Sequence, residues 1–384
     1  MKSRFGRNSA IPELGEKAYK LDRVIGEGAT GRVVLARSPD RSEDVAIKIV
    51  RVEQPEKEKN LPLFPWSRKR RRRVLRDSER KECAKVPVAD VKHELKVWQK
   101  VSSTTPFAIE LYRFIDLKSE VWFVMRLCQP FPQFIHDYER THKKLLPMRI
   151  IKEMYAGVFL ALREMHGLGI MHKDVKDENI LITENLVPKL SDFGISECFL
   201  DDEGKRLELW TPADTGLLAF GTYSTAPPES YVPDRQYNES ADTFSLCLSM
   251  LTSRLNKVPY EEDYDDVYSL KQLYQSCVYR VYRIGIEAVE LDYLRVACVV
   301  PYKHDFDNNS DPFDWDEDRV AFQSFAQECM KWDINERLTV AEACEHKYMK
   351  DAINRWETDY RMATNNLKQL IEDFSNDTSS EIGF

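Results

Sequence analysis

Long apolar stretches are missing from this 384-residue sequence: no segment approaches about 18 uncharged apolar residues, so nothing in it is expected to span a membrane. The first twenty residues carry Lys2, Arg4 and Arg7 but no apolar run of secretory-leader length. Without a leader, the acceptor patterns at Asn238, Asn308 and Asn376 are expected to stay unglycosylated, and secretion would require a leader already trimmed. The eight cysteines (Cys83, Cys128, Cys198, Cys247, Cys277, Cys298, Cys329, Cys344) contain no Cys-x-x-Cys pair. Neither a zinc ribbon nor a dithiol redox site is therefore suggested, and reduced, mostly buried thiols are expected. Positive charge is not in excess: 56 Lys and Arg stand against 64 Asp and Glu, a net charge of -8, which gives no reason to expect direct nucleic-acid binding. There is no internal repeat and no low-complexity composition. With 42% hydrophobic and 31% charged residues the chain reads as ordinary globular protein. Its length suits two or three folding units at roughly 100–200 residues each.

Short β-branched runs broken by glycine and charge fill the stretch from Tyr19 to Val52, predicting three antiparallel strands at 21–25, 32–36 and 45–50. Prolines at 55, 62, 65 and 87 and the basic run Arg68-Lys-Arg-Arg-Arg-Arg73 mark 53–90 as an inserted surface loop. That run reads equally as a nuclear import signal, an anion site or a solvated loop, so the expected location is the cytoplasm with a route to the nucleus. Val91, Leu95, Trp98 and Val101 predict a helix over 88–101, and two more strands follow at 107–115 and 120–127. After Gln129-Pro-Phe-Pro132 the periodicity becomes helical, with Met148, Ile151, Met154, Tyr155, Val158, Leu162 and Met165 spaced for a core-facing helix. Helices are also expected near 240–255, 265–283, 318–331 and 339–346, with a last amphipathic one over 348–374. The class is α+β: a tail at 1–18, a five-stranded β unit with one main helix at 19–128, a larger mainly helical unit at 129–350, and a helix and tail at 351–384.

The first chemical signal is Gly26-x-Gly28-x-x-Gly31, a pattern that dinucleotide-binding folds place where a strand enters a helix. Here Arg32-Val-Val-Leu35 follows at once, so the glycines sit at a hairpin tip, where backbone N–H groups can approach phosphate oxygens. An ordinary glycine hairpin would look the same. Lys48 follows in Val45-Ala-Ile-Lys48, and period two turns it and Ala46 to one face. A buried lysine needs a counter-charge, because an unpaired ammonium costs several kcal/mol to desolvate. Glu94 on the helix is the best candidate, ahead of Glu82 and Glu79; the alternatives are a solvated edge lysine and a surface helix charge.

Further on stand His172-Lys-Asp174-Val-Lys176-Asp-Glu-Asn179 and Asp192-Phe-Gly194. With Pro228-Glu229 and the distant Arg337, this ordered set resembles the eukaryotic protein kinase family of serine/threonine type, over roughly residues 19 to 350. The Gly-Glu-Gly-Ala-Thr-Gly loop and the Ala-Pro-Pro-Glu229 ending are similar to those of apicomplexan rhoptry kinases. The resemblance implies a bilobal fold and ATP-dependent phosphorylation of serine or threonine hydroxyls on protein substrates, with ATP and Mg2+ as cofactors. It casts Asp174 as catalytic base, Lys176 as support for the transferred group, Asn179 and Asp192 as metal ligands, and Lys48, held by Glu94, as the phosphate contact. Gly26, Gly28 and Gly31 would cover the phosphates. Met125 would be the gatekeeper of an adenine slot, with Arg126 and Cys128 presenting backbone and Val33, Ala46 and Leu181 lining the ring. Core packing is the other reading of each apolar residue there. Glu229, Arg337 and Asp242 would be architectural.

Lys173 departs from the family's arginine before the base, and Thr225 stands where tyrosine often sits. The resemblance makes Asp192 to Glu229 the activation segment, and Thr211 and Thr215 are its expected phosphosites. A scaffold that has lost phosphotransfer is the rival function, but its usual mark, a missing lysine, base or metal ligand, is absent. A small-molecule phosphotransferase is disfavoured by the Pro-Glu pair. The acidic stretch 305–318 falls partly on a calcium-loop template, yet Ser310 replaces the required glycine and Pro312 follows, so a solvated acidic loop is expected.

Overall fold

The computed structural model describes residues 19–28, 30–40, 43–53, 85–143, 145–201, 203–211, 220–222, 225–231, 234–255, 316–331 and 333–376. The basic run 68–73, the acidic stretch up to 315, Thr215 and the helix expected at 265–283 lie outside them. The chain forms two compact units, the first of residues up to Thr104 with Ala108–Cys128, the second of Thr105–Phe107 with everything from Gln129 onward. No helix among the described residues is long and apolar enough to cross a membrane.

The first unit is a five-stranded antiparallel sheet carrying one helix. Its strands are β1 (Lys20–Glu27), β2 (Arg32–Arg37), β3 (Asp44–Arg51), β4 (Leu111–Asp116) and β5 (Glu120–Arg126), in the order β1-β2-β3-β5-β4. Alternation divides the sheet into two faces. One face puts Val34, Ala36, Val45, Ile47, Ile49, Trp122 and Val124 into a buried cluster with Tyr19. On the other, α1 (Val88–Thr104) packs by stacking Trp98 on Phe123, ring centroids 5.4 Å apart. The side of α1 that is buried holds Val91, Glu94, Val97, Trp98 and Val101. Leu95, expected among them, is only half-buried, and Glu94 is drawn inward by the charge it meets. The strand expected from 107 begins at Leu111 because the preceding residues serve the second unit: Phe107 meets Trp356 edge to face at 5.6 Å and its carbonyl accepts from the Leu190 N–H at 2.8 Å.

The second unit is built round α3 (Met148–Gly167), preceded by β6 (Gln129–Pro130) and α2 (Phe131–His142). The three-and-four spacing predicts one buried stripe, but α3 is buried nearly all round, with Ile150, Ala156, Phe159 and Leu160 inside as well. It is enclosed by β7 (Ile170–Met171), β9 (Pro188–Leu190), α4 (Ser240–Leu255), α6 (Val340–Glu345), α7 (Lys350–Thr358) and α8 (Tyr360–Asn376), as a helix apolar on all sides requires. Gly157 makes one approach possible: a Cβ there would lie 2.5 Å from the Pro188 ring. The remaining elements are β8 (Ile180–Ile182), β10 (Glu197–Cys198), β11 (Leu209–Trp210), β12 (Gln236–Tyr237) and α5 (Asp316–Cys329).

The single helix expected over 348–374 is two, because Asp359 breaks it. Its backbone is extended (φ -153°) while its N–H still bonds the Arg355 carbonyl. Its carboxylate accepts from the N–H groups of Arg361 and Met362 at 2.9 and 3.1 Å, so one residue closes α7 and caps α8. Both helices belong to the second unit; Trp356 of α7 donates to the Glu153 carbonyl of α3 at 2.8 Å.

Glu229 and Arg337 form a buried two-pronged pair at 2.7 and 2.9 Å. The guanidinium also donates to the Lys331 carbonyl at 2.8 Å and lies 5.1 Å from the Phe244 ring centroid. Removing one partner of such a pair strands a charge, whereas removing both is far milder. Arg337→Met is therefore expected to lower unfolding stability by about 3–5 kcal/mol in urea titration, and Glu229→Leu with Arg337→Met to recover most of it.

Candidate active site

In the first unit, register explains the placement of Lys48. Gly26 pairs with Val33, Val33 with Lys48, and Lys48 with Phe123, so these share a cross-strand row and a face. Ala46 and Met125 pair two residues away on that same face. Lys48 Nζ donates to Glu94 Oε1 at 2.6 Å, with side chains only 11% and 6% exposed. The ammonium is thereby paired at a fixed reach with Glu94, the partner expected first; Glu79 and Glu82 lie outside the described residues. The hairpin tip is closed by the Gly28 N–H donating to the Gly31 carbonyl at 2.8 Å. Gly31 is required by packing, since a Cβ there would sit 2.5 Å from the Ile49 carbonyl oxygen. At the end of β5 the Arg126 N–H is taken by the Glu110 carbonyl at 3.2 Å, so a backbone contact from Arg126 to a ligand falls to its carbonyl. Its side chain turns to Glu110 at 3.4 Å. Met125 is buried and Cys128 half-buried.

In the second unit, Asp174, Lys176, Asn179 and Thr222 converge. Asp174 Oδ1 accepts from the Thr222 hydroxyl at 2.6 Å. Oδ2 accepts from Asn179 Nδ2 at 3.1 Å and faces Lys176 Nζ at 3.1 Å. A carboxylate offers about four lone-pair sites, and with these three engaged one remains for an incoming hydroxyl. Lys176 Nζ also donates to Thr222 Oγ1 at 2.7 Å, closing a triangle. Asn179 directs its amide nitrogen to Asp174, at 2.7 Å from the backbone carbonyl, which turns its amide oxygen to the other side. Asn179 and Asp192 are linked through Ser191, whose N–H and hydroxyl both donate to the Asn179 carbonyl at 2.9 Å. Asp192 is held in the left-handed region (φ 66°), an uncommon conformation for a residue with a side chain. Leu181 lies half-buried in β8. Beside Asn179, burial and the Glu178 carboxylate push Asp177 up to about 8.

Several residues that position this loop are not distinguished by sequence alone. His172 is fully buried; its Nδ1 accepts from the Asp174 N–H at 3.2 Å while its Nε2 lies 3.0 Å from the Ser191 carbonyl, which fixes the Nε2–H tautomer. Gly221 leaves no clearance, since a Cβ would come within 2.4 Å of Asp174 Oδ1. Lys173, which stands where the resembled family has arginine, is engaged internally by Glu197 and Tyr237. Thr211, expected as a phosphosite, is buried: its N–H donates to the Arg235 carbonyl and its hydroxyl oxygen accepts from the Arg235 N–H, both at 2.8 Å. Thr225 is buried as well.

Comparison with known proteins gives the family. The profile of the family described as protein kinase domain matches residues 19–349. A CBL-interacting serine/threonine-protein kinase 19 of Arabidopsis thaliana is 28% identical over 178 residues, 46% of this chain and 30% of its own. The serine/threonine-protein kinases pakH of Dictyostelium discoideum and cst-1 of Caenorhabditis elegans are 21% and 22% identical over 88% and 90% of this chain, and 51% and 54% of theirs. The chain thus spans between about a third and about half the length of these relatives.

One buried carboxylate anchors the loop to α4. Asp242 accepts from the N–H groups of His172 at 2.7 Å and Lys173 at 2.8 Å, and lies 2.9 Å from His166 Nε2. Burial alone would raise its pKa, but the bond and charge of His166, then His172, outweigh it and hold the carboxyl below its ordinary range. A depressed folded-state pKa gives stability that is complete above the unfolded value of about 3.9 and lost as pH falls through the folded value. The stability gap between the wild-type chain and Asp242→Asn is therefore expected to narrow as pH falls below the ordinary carboxyl value of about 3.9, read from urea midpoints at each pH.

Proposed function

The chain belongs to the protein kinase family, and we propose that it is an active serine/threonine kinase, transferring the γ-phosphoryl group of ATP to hydroxyls of protein substrates. The observation that carries this reading is the triangle of Asp174, Lys176 and Thr222, with Asn179 bound to the same carboxylate. It supplies a base with one acceptor site open and a cation beside it. Lys176 is the residue type that serine/threonine members place two positions after the base, and the names of the relatives agree with that class.

Magnesium, when bound, neutralises phosphate charge, and it favours hard oxygen donors. An amide oxygen from Asn179 and a carboxylate from Asp192 meet that requirement, and these two would hold it. Lys48, held in place by Glu94, would contact the nucleotide phosphates. Asp174 orients the acceptor hydroxyl and takes its proton as the oxygen–phosphorus bond forms and the bond to the leaving ADP breaks. Lys176 faces the charge that builds on the transferred group, and the Thr222 hydroxyl keeps Asp174 from rotating away. Protein substrates enter this proposal by family, and their sequence preference is left to experiment.

Binding and turnover then separate by residue. With ATP, magnesium and a degenerate peptide set, Asp174→Asn is expected to keep nucleotide affinity while phosphotransfer falls by about 10²–10⁴-fold. Peptide phosphorylation by Asp174→Asn at the wild-type rate would show that another group is the base. A wild-type chain that binds ATP yet phosphorylates nothing would favour the scaffold reading.

A further inference from the structure

Lys173 lies between His172 and Asp174 in the left-handed region (φ 68°), and its side chain is only 11% exposed. An ammonium so enclosed requires a partner, since leaving it unpaired costs several kcal/mol. The partner is Glu197: Lys173 Nζ donates to Glu197 Oε2, and the Tyr237 hydroxyl donates to the same oxygen at 2.7 Å. Lys173 Nζ is also 3.3 Å from the Tyr237 oxygen and lies 5.3 and 5.1 Å from the ring centroids of Phe220 and Tyr237. The two rings meet at 5.3 Å and 69° and belong to a buried cluster with Met171, Phe199, Ala226 and Ala241. One carboxylate, one phenol and two aromatic faces therefore surround a single cation.

Each wall of this cage is tied to a separate element. Glu197 pairs with Met171 across β10 and β7, and Tyr237 pairs with Leu209 across β12 and β11. Phe220 leads directly into Gly221 and Thr222. The Gly221 N–H donates to the Lys173 carbonyl at 3.2 Å, and the Thr222 hydroxyl reaches Asp174 at 2.6 Å. Lys173 is thus held at its side chain by the cage and at its carbonyl by the residue that follows Phe220. Gly221 has no spare room against Asp174, so a shift of Phe220 passes to Thr222 and the base together.

We propose that Glu197, with Tyr237, is a positioning residue that acts through Lys173 on Asp174 and Thr222, supplying from within the chain the negative charge that this cation needs. The proposal rests on the kinase reading for its effect on rate, whereas its structural part is independent of activity. Two consequences follow. The charge of Glu197 matters beyond its hydrogen bonds, and a chain free of phosphate already has its segment clamped. The second agrees with Thr211 being buried and engaged.

The test uses the full chain, freed of phosphate by a phosphatase and checked by intact mass. Glu197→Gln keeps the shape and removes the charge; Glu203→Gln, on the exposed turn of the same segment, is the control. Glu197→Gln is expected to lower kcat for peptide by about tenfold with KM for ATP within about twofold, and to speed amide hydrogen exchange in peptides spanning 220–222. Tyr237→Phe moves both in the same direction by less, and Glu203→Gln moves neither. Wild-type kcat and exchange in Glu197→Gln, or a rate lost only in proportion to folded protein, would overturn the proposal. So would slower turnover with unchanged exchange, because the clamp would not be the route. Phosphate-free wild type that gains about a hundredfold on phosphorylation of the segment would place the charge elsewhere. If wild type phosphorylates no peptide, the kinase reading has failed, and exchange alone decides: acceleration in Glu197→Gln keeps the clamp, and no acceleration removes it.

Discussion

The second unit's chemistry hangs on a buried carboxylate. Asp242, at the start of α4, accepts two consecutive backbone N–H groups, those of His172 and Lys173, and the two residues are followed at once by Asp174. Two bonds to adjacent amides fix the position and the direction of the chain, which lets Lys173 remain in a left-handed conformation that costs an ordinary residue about 1–3 kcal/mol. His166 from α3 completes the shell of the anion. The loop is thereby fastened to the two most deeply buried helices, and the side chains of Asp174, Lys176 and Asn179 inherit that rigidity.

Charge pairing follows the same logic at three depths. Glu229 with Arg337 is fully enclosed and bidentate, Lys48 with Glu94 is nearly enclosed, and Lys173 with Glu197 is open on the carboxylate side, which is 36% exposed. The first is a matter of architecture. The others hold an ammonium at a fixed place, and the partial exposure of Glu197 screens its pair more than the other two.

Much of the candidate site was legible because its residues cluster in sequence. Gly26 to Gly31, Asp174 to Asn179 and Asp192 to Gly194 each declare themselves within a few positions, and strand alternation was enough to put Lys48 and Ala46 on one face. What escaped the sequence was long-range chemistry. Glu197 and Tyr237 lie 24 and 64 residues from Lys173, and an isolated lysine reads as solvated unless its surroundings are known. Periodicity failed where a helix has no solvent side: α3 shows a stripe in its strongest apolar residues, yet Ala156, Phe159 and Leu160 are buried too. It failed again at Asp359, where an apolar pattern continues across a residue whose side chain prefers to cap, and one helix becomes two. Thr211 looked available as a hydroxyl before a proline, but β11 and β12 enclose it.

The near-complete enclosure of α3 also bears on how the second unit comes apart. Helices α4, α6, α7 and α8 and strands β7 and β9 all lean on it, so none can separate from it without exposing apolar side chains that have no other cover. Local opening is therefore restricted to the periphery, and exchange of the α3 amides with solvent should require the whole unit to unfold. Helix α3 is in this sense the gauge of the unit's cooperativity: a lesion along its buried faces is felt as a change in global stability, whichever neighbouring element it touches.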